Sequence, residues 1–179
     1  MRRIVCLIAL CGCASGGNTM EETTPRQATI YTSSETGTLL ADRPRAVATT
    51  IAAPAAQVWL AVKKVYADLD IPVTVENPSA HQIGNANFYK TRQVGGHAMP
   101  EFVDCGSSMT GPKASTYRIY MSLLTDVMTD GNGGAKIQTT FVPMGQDISG
   151  GSADRIPCGS TGRFEALFLD KVKAELGKS

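Results

Sequence analysis

A short segment, VGGHAMPEFVDCGSS, brings a histidine, acidic residues, a cysteine and two serines close together in the chain. His97 lies eight residues before Cys105, and a second cysteine in a similar setting, Cys158, lies nearer the C-terminus. Zinc binds imidazole nitrogen and thiolate sulfur, so these three side chains could form a site with His81 or a carboxylate as the fourth ligand. A surface-loop histidine beside a disulfide is the simpler interpretation, and we predict no metal site.

The same segment contains two serines that could act as nucleophiles, Ser107 and Ser108. His97 would then be the base and Asp104 the residue that orients it, as in serine hydrolases. The sequence around the serines lacks the Gly-x-Ser-x-Gly turn that presents such a nucleophile. We therefore predict no catalytic residues and no enzyme activity.

Two glycine-rich segments have the composition of ligand-binding loops. DGNGGAK lacks the spacing of a phosphate-binding loop and joins two predicted strands, so it predicts a hairpin turn. GQDISGGSAD contains Asp147 and Asp154 but not the alternating acidic spacing of a calcium loop, so it predicts a glycine-rich connection. No cofactor is predicted.

The N-terminus, MRRIVCLIALCGC, has a basic start followed by an apolar run from Ile4 to Leu10. The run is far shorter than the ~20 apolar residues that a helix needs to cross a bilayer. A basic start, a short apolar run and small residues after it are typical of an export signal.

Within that signal, Leu10-Cys11-Gly12-Cys13 resembles the lipobox of bacterial lipoproteins. The resemblance implies a signal peptide over residues 1–12, cleavage before Cys13, and lipidation of Cys13 as the membrane anchor. Because Ala14 rather than aspartate follows the cysteine, the resemblance favours the outer membrane, with the domain facing the periplasm. The alternative is an ordinary signal peptide cleaved near Ala14 or Ser15.

Cys105 and Cys158 remain in the exported part of the chain, where disulfides form. Glycine and serine follow each of them, in CGSSMTG and CGSTG, which leaves room for a partner sulfur. We predict a disulfide between them. It would close a loop of roughly 53 residues and stabilise the fold by about 4 kcal/mol in the chain-entropy model.

The composition changes near residue 45. Residues 13–44 are rich in Ser, Thr, Gly and Glu, without helical or strand periodicity, and predict a lipidated N-terminus with a flexible tether. In the alternative left open, the apolar pairs Ile30-Tyr31 and Leu39-Leu40 dock on the domain or on a partner. Residues 45–179 are predicted to form one folded domain.

Two helices are predicted in that domain. The first lies in PAAQVWLAVKKVYADLDI, after a strand in RAVATTIAA, with Pro54 in its first turn. Its apolar residues recur at helical spacing: Val58, Val62, Val65 and Leu69, with Ala55, Ala61 and Tyr66 beside them. The second lies in STGRFEALFLDKVKAELG, with Ser160 or Thr161 as its cap and Gly177 at its end. Its predicted buried side contains Phe168, Leu169, Val172 and Leu176.

Four strands are predicted between the helices. VTVE and QIGNANFYKTRQV are extended runs on either side of an Asn-Pro-Ser turn. TYRIYMSLLTDVM and AKIQTTFVPM alternate and form a hairpin. In the first hairpin strand one face is Tyr117, Ile119, Met121 and Leu123, and the other is Arg118, Tyr120 and Ser122.

The order β-α-β-β-β-β-α predicts an α+β fold, an antiparallel curved sheet with two helices on one face. In order and patterning, residues 45–179 resemble the helix-grip domains of a lipoprotein of the barrel-assembly machinery. What this resemblance implies is a helix-grip-like arrangement.

Charge and composition indicate the class of function. The formal net charge is +1, and without Arg2 and Arg3 the 17 basic residues become 15 against 16 acidic residues, so nucleic-acid binding is not predicted. The main hypothesis is a lipid-anchored envelope protein that acts as a non-enzymatic binding or assembly module, with an envelope protein as partner. The alternatives are a carrier with an apolar cavity between helix and sheet, and a metal-dependent hydrolase built on His97.

Overall fold

A computed structural model describes residues 48–150 and 153–178, together with the backbone of residues 30–32 and 39–41. The predicted signal peptide and the predicted lipidation site, Cys13, lie outside the described residues.

The described residues contain three α-helices and fourteen short or long strands. The helices are α1 (Ala55–Asp68), α2 (Met99–Phe102) and α3 (Arg163–Leu176). The strands are β1 (Ile30–Thr32), β2 (Leu39–Ala41), β3 (Thr49–Ile51), β4 (Val75–Asn77), β5 (Gln82–Thr91), β6 (Gln93–Val94), β7 (His97–Ala98), β8 (Val103–Asp104), β9 (Ser107–Ser108), β10 (Gly111–Pro112), β11 (Arg118–Thr129), β12 (Ala135–Gln146), β13 (Arg155–Pro157) and β14 (Gly159–Ser160). A single turn of 3₁₀-helix spans Lys113–Ser115.

The main sheet is antiparallel and open. Its strand order is β13-β12-β11-β5-β4, and β3 pairs with the end of β12 that β13 leaves free. This confirms the predicted α+β class and the antiparallel sheet. One predicted strand is divided, because the backbone of Arg92 takes a positive φ of 65° between β5 and β6.

The β11–β12 hairpin forms the centre of the sheet, as the alternation predicts. The two strands pair from Arg118 opposite Gln146 to Thr129 opposite Ala135. In the turn, the Asp130 carboxylate accepts hydrogen bonds from backbone N–H groups two and four residues later.

Helices α1 and α3 pack on one face of the sheet. The predicted helical face of α1 is buried, and the predicted strand face of Ile119, Met121 and Leu123 lies against it. The two helices also contact each other, and an ion pair joins Lys64 to Glu175 across them. The apolar face of α1 and that of β11 bury each other, and this burial is the main interaction stabilising the fold that the sequence pattern predicts.

Aromatic rings fill the space between α3 and the sheet. Phe164 is 0% exposed, stacks on Phe141 with ring centroids 4.5 Å apart, and meets Phe102 edge-on at 5.7 Å. Phe168 continues this row and meets Tyr66 of α1 edge-on at 5.5 Å.

The start of α3 differs from the prediction. Gly162, with a φ of 77°, is the N-cap residue, and it makes no side-chain cap bond. Ser160 and Thr161 lie before it and accept hydrogen bonds from the backbone N–H groups of Gly162 and Arg163. The predicted cap at either residue is therefore wrong, because the chain needs a left-handed residue to turn from β14 into the helix.

The opposite face of the sheet is covered too. Leu124 points away from the helices yet is only 3% exposed, and it packs with Val75, Ala86 and Val142. Strands β1 and β2 form an antiparallel hairpin that lies against β5 and β11. Since β5 and β11 are inner strands, a hairpin beside both of them must lie on a face of the sheet, and the helices occupy the other one.

Candidate functional site

Cys105 and Cys158 form a disulfide, as predicted. It joins the loop after β8 to the loop before β14, two strands that also pair with each other. Both cysteines are buried, and Gly145 of β12 lies beneath them. A Cβ at Gly145 would lie 3.0 Å from the Cys158 sulfur and 3.1 Å from the Cys105 sulfur, so the bond needs glycine at this position.

His97 lies in β7 and contacts Glu101 and Phe102. Its Nδ1 is 3.3 Å from Oε2 of Glu101, and its ring contacts Phe102. The Glu101 carboxylate also accepts a hydrogen bond from the backbone N–H of Ala98, and both contacts lower its pKa. His81, the suggested fourth ligand, lies in the β4–β5 turn beside the ring of Trp59.

The suggested serine nucleophiles make only local contacts. Ser108 Oγ is 3.0 Å from Thr110 Oγ1 and donates to the Gly111 carbonyl. Asp104 accepts a hydrogen bond from the backbone N–H of Gly106. These groups therefore stabilise the turns around β8, β9 and β10.

In the suggested calcium loop, Asp147 is hydrogen-bonded within the loop. Asp147 accepts hydrogen bonds from the backbone N–H and the hydroxyl of Ser149, and these lower its pKa. Asp154 is exposed. Within residues 48–150 and 153–178, no group of three or more His, Cys, Asp or Glu side chains is placed to hold a metal ion.

Sequence reasoning missed a cluster of two arginines and two tyrosines on the sheet face opposite the helices. Tyr89 of β5 lies directly across from Tyr120 of β11. One row further along, Arg118 of β11 and Arg155 of β13 lie on either side of Gln146 of β12. We call Tyr89, Arg118, Tyr120 and Arg155 the arginine–tyrosine cluster.

In this cluster each guanidinium group lies over an aromatic ring. The Arg118 Cζ is 5.0 Å from the ring centroid of Tyr89, and the Arg155 Cζ is 3.4 Å from that of Tyr120. Both distances are within the range of a cation–π interaction. The two rings are themselves 5.9 Å apart, so the four side chains form one continuous surface.

Hydrogen bonds at Tyr120 and at Arg155 hold the side chains of the cluster in place. Tyr120 donates its hydroxyl proton to Gln146 Oε1 at 3.0 Å and accepts from Arg118 Nη1 at 3.5 Å. Arg155 reaches across the sheet and donates from Nη1 to Asn87 Oδ1 at 3.2 Å. Arg118 Nε is buried and has no hydrogen-bond partner among the described residues.

The two arginines give the cluster a positive charge, and within the described residues neither arginine is in an ion pair. In the described part of the chain, ion pairs join carboxylates to lysines or to His97, and none includes Arg118 or Arg155. The pKa of Tyr120 is lowered, first by its hydrogen bond from Arg118 and then by the charges of both guanidinium groups. The pKa of Arg118 is raised by the same hydrogen bond. The arrangement is suited to bind an anion.

The sequence pattern predicts only part of this cluster. Alternation in β11 assigns Arg118 and Tyr120 to the face that the helices do not cover. Arg155 joins them only because β13 pairs with β12, and no local pattern predicts that pairing.

Fold and site together define an antiparallel α+β domain with an exposed cationic surface on its sheet. No known protein family, curated protein or solved structure matches the chain. None of the described helices has the length and apolar character needed to span a membrane.

Proposed function

We propose that this chain is a lipid-anchored protein of the cell envelope whose domain is a non-enzymatic binding module. In this proposal Cys13 carries the lipid, the outer membrane holds the anchor, and the domain faces the periplasm. The helices on one face of the curved sheet form a helix-grip-like scaffold.

The Cys105–Cys158 disulfide is the observation that supports the proposed location outside the cytosol. Disulfides form and persist in exported proteins and are rare in the cytosol. The bond is buried and packed on Gly145, which fits a permanent structural bond. It supports the export that the N-terminal signal predicts.

The arginine–tyrosine cluster supports a binding function at the surface. A carrier would instead hold its ligand between the helices and the sheet. There Phe164 is in ring contact with Phe102 and Phe141, so a ligand would have to displace packed aromatic rings. We therefore favour the sheet surface as the binding region.

Membrane fractionation of a Cys13→Ser variant tests the anchor. Lipid attachment needs the Cys13 thiol, so the variant should lose incorporation of labelled palmitate and leave the membrane fraction or accumulate as an unprocessed precursor. Cys11→Ser is the matched control, because it keeps a small residue two positions before Cys13 and should be lipidated normally. A Cys13→Ser protein that is processed normally and still sediments with membranes would refute the proposal.

A further inference from the structure

We propose that the arginine–tyrosine cluster is a binding site for a phosphate group. This inference deepens the proposed binding function by naming the chemistry of the ligand, and its biological setting rests on that function.

The aromatic contacts hold the two guanidinium groups in place without using up their hydrogen-bond donors. The N–H groups of a guanidinium lie in its own plane, where they can form the paired bonds that phosphate oxygens accept. Among the described residues, the guanidinium groups of Arg118 and Arg155 donate to Tyr120 and Asn87. The cluster therefore has more donors than the described residues supply with acceptors.

The charge of the cluster favours phosphate over a carboxylate. Both guanidinium groups contact Tyr120, Arg155 over its ring and Arg118 at its hydroxyl, and neither forms an ion pair within the described residues. A phosphate monoester carries about −1.5 to −2 near neutral pH, which matches two positive charges, whereas a carboxylate carries one negative charge.

The cluster is open to an anion from outside. Tyr89 is 56% exposed, and Arg155 and Asn87 are exposed as well. Arg118 and Tyr120 are half-buried. Phosphate could come from a free phosphate compound or from the headgroup of a membrane lipid, and both would present the same oxygens to the two arginines.

Titration of the full chain by NMR tests the site. The protein is labelled with ¹⁵N-arginine, held in micelles of an uncharged detergent, and titrated with inorganic phosphate against sodium chloride at equal ionic strength. We expect saturable shifts of the Nε–H signals of Arg118 and Arg155, and none for Arg163 at the start of α3. Arg118→Gln and Arg155→Gln should each weaken binding at least about tenfold, since hydrogen bonds to charged groups are the strong ones. Arg163→Gln should bind like the unchanged protein.

A second titration distinguishes the two sources of phosphate, a free phosphate compound and a lipid headgroup. Phosphatidic acid is added to the micelles, with phosphatidylcholine as the comparison. Shifts with phosphatidic acid but not with inorganic phosphate identify a lipid headgroup, and shifts with inorganic phosphate identify a free phosphate compound. Either result supports the site. Arg118 and Arg155 signals that respond to neither, or respond equally to chloride, would overturn it, whatever the outcome for Cys13→Ser.

Discussion

Tyr66 places a hydroxyl group in the middle of an apolar core. The hydroxyl donates to the Ile83 carbonyl at 3.1 Å, and Thr125 Oγ1 lies 3.1 Å from it. Thr125 is in turn 3.3 Å from Thr139, so a short polar chain crosses the sheet beneath α1. Burial raises the pKa of Tyr66 far above its ordinary value of about 10, because the ionised phenolate would lose its water.

This burial predicts a specific alkaline instability. An unfolded Tyr66 ionises near pH 10 while the folded one stays protonated, so its contribution is complete below pH 10 and is lost as pH rises beyond it. As pH rises above 10, urea unfolding should show a slope that approaches about 1.4 kcal/mol per pH unit from this residue. Tyr66→Phe should lack that slope and cost about 1 kcal/mol at pH 8, where its partners lose a bond.

Ile119→Val is the control for that measurement. It removes a methylene from the core, at a cost of about 0.5–1.5 kcal/mol, but keeps the Tyr66 phenol, so the alkaline slope should remain. Equal slopes in Tyr66→Phe and the unchanged protein would contradict the assignment.

At the scale of the elements, the disulfide holds together a region built from very short strands. β8 and β14 pair over two residues each, and β9 and β10 form a similarly small ladder. Such short ladders bury little apolar surface, so they have little stability of their own. The covalent bond compensates by fixing β14, and with it the start of α3, beside β8.

Removal of the bond should therefore destabilise the whole fold. A Cys105→Ala/Cys158→Ala double variant is expected to lose up to about 4 kcal/mol in urea unfolding, since the cross-link restricts the unfolded chain. Treatment of the unchanged protein with a reductant should give a similar loss, and the double variant should not respond to reductant. A urea midpoint that is the same with and without reductant would show that the bond contributes nothing.

Local periodicity made most elements predictable. The face of α1 and the alternation in β11 are properties of a few neighbouring residues, and both were confirmed. In α3 the same reasoning found Phe168 and Val172 but not Phe164, the ring at the centre of the core. Leu169 and Leu176, both expected to be buried, are only partly so. The buried face of α3 is determined by its aromatic contacts with α2 and β12. Those contacts join residues that lie far apart in the chain, so local periodicity does not predict them.

At the scale of the whole molecule, the described chain forms three layers: helices, sheet, and the β1–β2 hairpin. The side of the sheet that faces away from the helices contains buried groups at its centre, including Leu124 at 3% exposure and Thr140. The pairing of β1 with β2, and their place against β5 and β11, account for that burial.

Deletion of residues 30–41 tests this account. In the full chain, Leu124→Ala should cost about 2–3 kcal/mol, as for other buried leucines. Without the hairpin, Leu124 should be exposed, and the same substitution should cost much less. Deletion of residues 16–27 removes the same number of residues upstream and serves as control. A Leu124→Ala cost that is unchanged by loss of the hairpin would show that another segment covers this face.

The hairpin also limits how far the sheet can lie from the proposed anchor. It lies on the same side of the sheet as Arg118 and Arg155. Sixteen residues lie between Cys13 and Ile30, and even a fully extended chain over those seventeen steps spans at most about 60 Å. With Cys13 anchored as proposed, β1 and the sheet face on which it lies stay within about that distance of the bilayer headgroups.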